Sequence, residues 1–194
     1  MQKWSLSFRV WHWIHAFVVL ALLGTVLLRK TFLSWRANSE ILLTKLSLMD
    51  IDVTNEQAKL LAKAVRAPMW EWHIILGYAL GLLLLIRLAL FFTQSGKQNF
   101  IDLKSLDLHK KMVKLGYIGI YFVLLFMSIS GLVMSFSEEL SLAKEMVHDI
   151  KEIHELVFNL VWIFVVLHIG GLVVAENRDE KGIVSEMIHG KKLI

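Results

Sequence analysis

One apolar run carries a histidine near each end, and it constrains the possible folds more than any other feature. The run extends from Lys151 to Ala175 and reads KEIHELVFNLVWIFVVLHIGGLVVA, with His154 and His168 14 residues apart. Because a helix turns by about 100° per residue, this spacing places both imidazoles on one helix face. They lie about 21 Å apart along the axis, one towards each surface of a bilayer. Two buried histidines on one face predict ligands for two separate cofactors.

Three further apolar runs precede this one, and together they predict an integral membrane protein. Hydrophobic residues make up 56% of the 194 residues, and there is a single proline. Each run has about 19 or more mostly apolar residues with charges at its ends, as a helix crossing a bilayer requires. We expect the first run to be retained, because it is too long for the apolar part of a signal peptide. The prediction is an all-α, four-helix membrane bundle that forms one domain over residues 1–194, with spans at about 10–28, 73–92, 112–136 and 154–175.

The connection between the first two spans, residues 29–72, is predicted to be a long extracytoplasmic loop that contains one short amphipathic helix. Thr54 and Gln57 form a capping-box pattern at the start of this helix. Residues 58–66 follow with apolar and basic sides, and Pro68 is predicted to end the helix. The simpler interpretation places this helix flat on the bilayer. The alternative makes it a docking surface or a lid over a cofactor.

The positions of lysine and arginine predict the orientation. Both ends of the chain and the linker 93–111 are basic, whereas the connection 137–152 has two lysines against five acidic residues. The positive-inside rule therefore places both termini in the cytoplasm, with the chain in the bacterial inner membrane. The seven basic residues of the first loop count against this orientation. The net charge of +4 is explained by basic cytoplasmic flanks, and no nucleic-acid partner is predicted.

Four histidines sort by depth into two pairs when the helices alternate in direction. His12 and His168 lie near the cytoplasmic side, and His73 and His154 lie near the periplasmic side. Each pair joins two helices at one level, as bis-histidine ligation of a haem requires. The absence of cysteine excludes thiolate-ligated haem, covalent haem attachment through cysteine and iron–sulfur clusters. The sequence therefore predicts two non-covalent haem b groups.

Basic residues near these histidines are predicted to neutralise the haem propionates. Arg87 lies inside an apolar run at the level of His12 and His168, and Arg9 approaches the same level. Lys151, one turn before the histidine that opens the fourth span, would neutralise the outer haem or attract an anionic substrate. For Arg9 and Lys151, an ordinary flanking charge that reaches the membrane surface is an equally good interpretation.

The other residues singled out near the ligands have simpler interpretations. Gly77, one turn after the ligand of the second span, would let a porphyrin approach the helix, although close helix packing explains it equally well. His15 is predicted to pack beside a haem, with competition as a ligand as the alternative. His109, His148 and His189 lie in polar segments and are predicted to face solvent.

These motifs together resemble the prokaryotic cytochrome b561 family, and they are similar to the b-type cytochrome subunits of membrane hydrogenases and formate dehydrogenases. The matching elements, taken span by span, are Arg9-Val-Trp-His12-Trp13, His73-x3-Gly77 with Arg87, Gly116-Tyr117 with Ser130-Gly131-Leu-Val-Met134, and Lys151-Glu-Ile-His154-Glu155 with His168. The resemblance implies a four-helix di-haem membrane fold. It also implies that the axial ligands are His12, His73, His154 and His168, the set reached from the spacing.

The expected function is electron transfer between the quinone pool, ubiquinone or menaquinone, and a periplasmic redox partner. This partner would be a cytochrome or a dehydrogenase that docks on the long loop. Relatives in the family imply an alternative, a superoxide oxidase that passes electrons to ubiquinone, in which Lys151 attracts the anion. An alternative of another class is a non-redox metal or proton transporter. That class predicts carboxylates at the depth of the histidines, and the helix interiors contain none.

Overall fold

The computed structural model describes residues 4–92, 107–178 and 180–191, and the regular elements within them are six α-helices. Four helices are long and apolar enough to cross a membrane: α1 (Leu6–Lys30), α3 (Asn55–Phe92), α4 (Leu108–Ser135) and α5 (Lys144–Asn177). The other two are α2 (Trp35–Ser47) and α6 (Ile183–His189). The prediction of an all-α protein with four spanning helices is confirmed. The first part of the predicted linker 93–111, up to residue 106, lies outside the described residues.

The structure corrects the predicted loop at residues 29–72, which is largely helical. Helix α2 occupies Trp35–Ser47, and α3 begins at Asn55 and continues through Pro68 to Phe92. The prediction that Pro68 ends a helix was wrong. Proline removes one backbone hydrogen bond, but the apolar residues that follow it enter the membrane, where only a helix satisfies the backbone.

The start of α3 has the capping box that the sequence predicts. The Gln57 amide donates to Thr54 Oγ1 at 3.2 Å, and the Thr54 amide donates to Gln57 Oε1 at 2.8 Å. These two bonds satisfy backbone donors that the first helical turn leaves without partners. The capping box therefore starts a helix of 38 residues rather than the short helix expected.

Helix α3 is longer than a spanning segment needs to be. Its 38 residues extend over about 57 Å, whereas the hydrocarbon core of a bilayer is about 30 Å thick. The short amphipathic helix predicted at residues 58–66 is therefore the first part of a longer helix. Its two interpretations, a helix on the bilayer surface and a docking surface or lid, stay predictions.

The chain forms two compact units. The first comprises Met1–Ala16 and Tyr78–Ile194. Within it α4 and α5 run antiparallel, because Tyr117 contacts His168 and Ser130 contacts His154.

The second unit comprises Phe17–Gly77 and contains the end of α1, all of α2 and the first half of α3. The Trp35 ring on α2 lies 5.5 Å from Lys59 Nζ on α3. Ala58 and Ala62 on α3 are fully buried. These two alanines lie one turn apart on the same face of α3, so that face is the covered one.

Candidate functional site

The histidines near one end of the first unit lie at the separation that a single metal between them requires. The ring centroids of His12 on α1 and His168 on α5 are 6.3 Å apart, with an angle of 64° between the ring planes. A metal–imidazole bond is about 2.0–2.1 Å, and the nitrogen lies roughly 1 Å from the ring centre, so two rings on opposite sides of one metal have centroids about 6–6.5 Å apart. The predicted pair thus has the spacing of a bis-histidine site.

Two aromatic residues hold the His168 ring. Phe164 stacks on it with centroids 5.7 Å apart and planes 7° apart. The Tyr117 hydroxyl lies 3.2 Å from His168 Nδ1. A hydrogen bond at Nδ1 makes Nε2 the nitrogen that binds a metal. No role for Tyr117 is predicted from the sequence, in which it forms part of the Gly116-Tyr117 motif.

His12, rather than its neighbour His15, contacts His168. The His15 ring stacks on Trp11 with centroids 4.8 Å apart, and Trp11 Nε1 donates to the Leu83 carbonyl at 2.7 Å. These contacts hold His15 against the aromatic cluster at the start of α1. His15 Nε2 is buried and has no hydrogen-bond partner among the described residues.

His154 on α5 is held by a hydroxyl of α4. Ser130 Oγ lies 2.7 Å from His154 Nδ1 and donates its own proton to the Phe126 carbonyl at 2.7 Å. Because the hydroxyl proton is used, Ser130 accepts the Nδ1 proton, and the lone pair of His154 is on Nε2. A Cβ added to Gly131 would lie 3.7 Å from His154 Cε1, an ordinary van der Waals contact, so the ring lies directly against α4 at this glycine.

His73 on α3 is held in the same way within the second unit. Thr25 Oγ1 lies 2.7 Å from His73 Nδ1 and donates to the Leu22 carbonyl at 2.6 Å. His73 therefore donates from Nδ1 and carries its lone pair on Nε2. Neither hydroxyl was predicted from the sequence. The pairing of His73 with His154 stays a prediction.

Arg87 is buried in an aromatic cage. Its guanidinium carbon lies 5.2 Å from the Phe8 ring centroid, 5.5 Å from that of Trp11 and 5.6 Å from that of Tyr121. Its Nε donates to the Tyr121 hydroxyl at 3.1 Å. Its buried Nη1 has no hydrogen-bond partner in the described part of the chain. Since an unsatisfied buried donor is costly, this atom fits an anionic group such as a haem propionate.

Arg9 contacts the carboxyl end of α6. Its Nη1 donates to the Ile188 carbonyl at 2.8 Å, and Trp13 Nε1 donates to the Met187 carbonyl at 3.3 Å. A cation is favourable at the end of a helix where free carbonyls accumulate. Gly190 follows with φ 78°, and a Cβ there would lie 2.7 Å from an Arg9 nitrogen. The buried Nε of Arg9 has no hydrogen-bond partner among the described residues, so it can donate a hydrogen bond to an anion.

The other end of α6 is capped by the end of α5. The Glu176 carboxylate accepts from the Gly182 amide at 2.8 Å and from the Val184 amide at 3.0 Å. This carboxylate satisfies backbone donors of the first turn of α6. The two ends of α6 are thus fixed to α5 and α1.

Lys151 and Gly77, the remaining predicted site residues, lie in open surroundings. Lys151 Nζ is 3.9 Å from Glu155 Oε1, and its side chain is 55% exposed. The superoxide alternative requires Lys151 to attract an anionic substrate. This ion pair reduces the positive charge that Lys151 offers to it. A Cβ added to Gly77 would meet nothing within 4 Å, so there is room beside α3 at this level.

The histidines predicted to face solvent, His109, His148 and His189, are exposed. The described residues contain no group of three or more histidine, cysteine or acidic side chains that could hold a metal ion. A haem needs only two protein ligands because the porphyrin supplies the others.

Comparison with known proteins identifies one family. The model of the prokaryotic cytochrome b561 family matches residues 3–190 of the chain. No curated protein and no solved structure matches it. The family match covers all four apolar helices, and this family implies binding of b-type haem.

Proposed function

Since the chain belongs to the prokaryotic cytochrome b561 family, we propose that it is a di-haem b-type cytochrome that transfers electrons between the quinone pool and a periplasmic redox partner. The family match and the four apolar helices establish that the chain is a multi-pass bacterial membrane protein and that it acts in electron transfer. The two haem sites, the quinone, the partner and the cytoplasmic termini are parts of the proposal.

The observation that carries the proposal is the 6.3 Å separation of the His12 and His168 rings. When bound, haem b supplies an iron that takes up and releases one electron. The two histidines would fill both axial positions of this iron and so disfavour oxygen binding there. The unpartnered Nη1 of Arg87 supports a propionate beside them, and Arg9 Nε is a second donor for the same charge.

The second haem site is proposed at His73 and His154, which the sequence places at one depth. The 2.7 Å contacts of Thr25 Oγ1 with His73 Nδ1 and of Ser130 Oγ with His154 Nδ1 support Nε2 as the ligand atom of each histidine. Gly77, one turn after His73, leaves room for a planar group.

The periplasmic partner is proposed to dock on residues 35–66, which we call the arm. The arm consists of α2 and the first turns of α3, which precede the apolar part of α3. Leu48, Leu60 and Val65 expose 74%, 69% and 60% of their surface. Lys59 and Lys63 lie beside Leu60, and Lys59 Nζ lies 3.6 Å from Glu56 Oε1, so the arm presents apolar side chains among charges of both signs. The exposed apolar side chains support the arm as the docking surface.

A reduced-minus-oxidised visible spectrum, with haem counted per chain, tests the proposal. We expect two b-type haem groups in the wild type and one in His168→Ala. The exposed His148 provides the matched control, and His148→Ala should retain both. Absence of haem from the wild-type protein would refute the proposal, as would two haem groups in His168→Ala.

A further inference from the structure

We propose that Arg29 and Arg66 together bind the phosphate group of a membrane phospholipid. Arg29 lies in the last turn of α1, and Arg66 lies in the part of α3 that precedes its apolar segment. Both residues belong to the compact unit Phe17–Gly77. Neither is a residue of the two proposed haem sites, so the lipid site does not depend on haem binding.

Two contacts between α1 and α3 bring the two arginines to the same level. Thr25 Oγ1 on α1 lies 2.7 Å from His73 Nδ1 on α3. One turn later on α1, the Arg29 guanidinium carbon lies 5.5 Å from the centroid of the Trp70 ring, about one turn earlier on α3. The two helices therefore run antiparallel here. Arg66 is one further turn back from Trp70 on the same face of α3, beside the end of α1.

The positive charges of the two arginines act against each other. Burial and the nearby Arg29 charge lower the pKa of Arg66, which lies outside the apolar segment of α3. Like charges held close together are unfavourable. No acidic side chain in the described part of the chain forms an ion pair with Arg66. An anion from outside the chain would offset this repulsion.

Arg66 also has a hydrogen-bond donor without an acceptor. Its buried Nε has no hydrogen-bond partner among the described residues. A buried donor of this kind is costly. A guanidinium binds phosphate through two parallel N–H···O bonds, and Nε can supply one of them. A phosphate oxygen at this edge of Arg66 would therefore be the missing acceptor.

Trp70 fixes the position of the second arginine. The Arg29 guanidinium lies over the face of the indole ring, and the Trp70 ring is in turn held edge-on against the His73 ring, with centroids 5.4 Å apart. A cation–π contact uses the charge of the guanidinium, whereas its five N–H donors lie in its plane. Arg29 can therefore stack on Trp70 and donate to a phosphate at the same time.

The position of the two arginines favours a phospholipid over a free phosphate ion. Arg29 ends the first apolar run, and Trp70 and Trp72 directly precede the apolar part of α3. Tryptophan rings gather at the level of the lipid headgroups, which is also the level of their phosphates. Leu28 and Ile74 are exposed on the apolar side of this level. They would contact the acyl chains of the same lipid.

A simpler explanation is that both arginines are flanking charges that reach the membrane surface. A flanking charge of this kind extends into water and makes its hydrogen bonds there. Arg66 differs, because its Nε is buried. Arg36 of the same compact unit is exposed and represents the ordinary case.

The experiment is native mass spectrometry of the purified, delipidated full-length protein in a non-ionic detergent, with phosphatidylglycerol added stepwise. We expect the wild type to bind one molecule per chain before any other. Arg66→Gln and Arg29→Gln should each weaken this first binding step by about 10-fold or more, because each removes a hydrogen bond to a charged group. Arg66→Lys keeps the charge but loses the planar fork, and it should also weaken the step.

Three controls separate a phosphate site from general attraction. Arg36→Gln removes the same charge from an exposed position and should leave the first binding step unchanged. Diacylglycerol has the acyl chains without the phosphate, and it should not occupy the site. Inorganic phosphate at the concentration of the lipid should not displace phosphatidylglycerol.

Equal binding by the wild type and Arg66→Gln would overturn the inference, and so would equal weakening by Arg36→Gln. Displacement of the lipid by inorganic phosphate would overturn the assignment to a phospholipid, because the site would then bind a free ion. Arg66→Lys retains the charge and a similar helix propensity, so it tests the site even if Arg66→Gln fails to fold. Wild-type affinity in Arg66→Lys would contradict a phosphate held by the guanidinium fork.

Discussion

At the scale of single residues, Arg87 is a buried cation stabilised by aromatic rings. Three ring centroids lie within 5.6 Å of its guanidinium, and one of its hydrogen bonds goes to the Tyr121 hydroxyl. Cation–π contacts stabilise a desolvated charge but do not use the in-plane N–H donors. The donor that remains, Nη1, is the part of Arg87 available to a ligand.

We expect Arg87→Gln to weaken haem binding at His12 and His168 about 10- to 100-fold, because a hydrogen bond to a charged group contributes about 1.5–3 kcal/mol. Titration of haem into the haem-depleted variant, followed by the visible spectrum, measures this change. Arg178→Gln, which alters an exposed arginine, should leave the affinity unchanged. If Arg87→Gln and the wild type bind haem with equal affinity, Arg87 does not neutralise a haem propionate.

Gly131 supports a second prediction at this scale, because a Cβ there would lie 3.7 Å from His154 Cε1. The larger side chain of Gly131→Val should displace the imidazole, and we expect loss of one of the two haem groups per chain. Gly119→Val places the same side chain on the same helix, where a Cβ meets nothing within 4 Å. It should retain both. Haem content per chain, measured on both variants, distinguishes this steric effect from the helix propensity of valine.

At the scale of elements, α3 keeps its helical conformation through Pro68. A proline inside a helix costs about 3 kcal/mol relative to alanine, so the continuous helix retains an unfavourable residue just before its apolar segment. The local sequence rule predicts a helix end there, and the requirements of the spanning segment override it.

We expect Pro68→Ala to stabilise the protein by up to about 3 kcal/mol, because alanine restores the missing backbone hydrogen bond. Thermal unfolding in detergent, followed by circular dichroism, measures the change. Ala64→Gly on the same helix is the control, and it should lower the free energy of unfolding by about 1 kcal/mol. A less stable Pro68→Ala variant would show that the native helix needs the proline.

Helix α6 gives a further prediction at this scale. Gly190 has φ 78°, and a Cβ there would lie 2.7 Å from an Arg9 nitrogen. We expect Gly190→Ala to destabilise the protein by about 1–2 kcal/mol from backbone strain alone, with an added loss from the displaced Arg9. In an Arg9→Met background the same substitution should cost less, because the clash is absent. Equal costs in the two backgrounds would show that Arg9 and Gly190 are not coupled.

At the scale of the whole molecule, the sequence predicts what depends on local pattern. Long apolar runs are sufficient to find the four spanning helices, and the 14-residue spacing is sufficient to put His154 and His168 on one face. Contacts between distant segments could not be found this way. The partners of Arg9 and His73, which are Ile188 and Thr25, lie 179 and 48 residues away in sequence. Helix α2 was also missed, since it has no run of apolar residues comparable with a span.

The absence of cysteine makes the proposed orientation directly testable. A single cysteine introduced as Leu48→Cys lies in the exposed turn after α2, and Lys191→Cys lies beyond α6. In intact spheroplasts, we expect a membrane-impermeant maleimide to label Leu48→Cys at once and Lys191→Cys only after lysis. The reverse pattern would place the arm in the cytoplasm, and no periplasmic protein could then dock on it.

The contact between Arg9 and Ile188 joins α1 to α6, and the two residues lie 179 positions apart in sequence. Helix α6 follows all four apolar helices in the chain, so this contact cannot form until every one of them has been synthesised. The surroundings of His12 are therefore completed by a segment that is itself too short and too polar to cross the membrane.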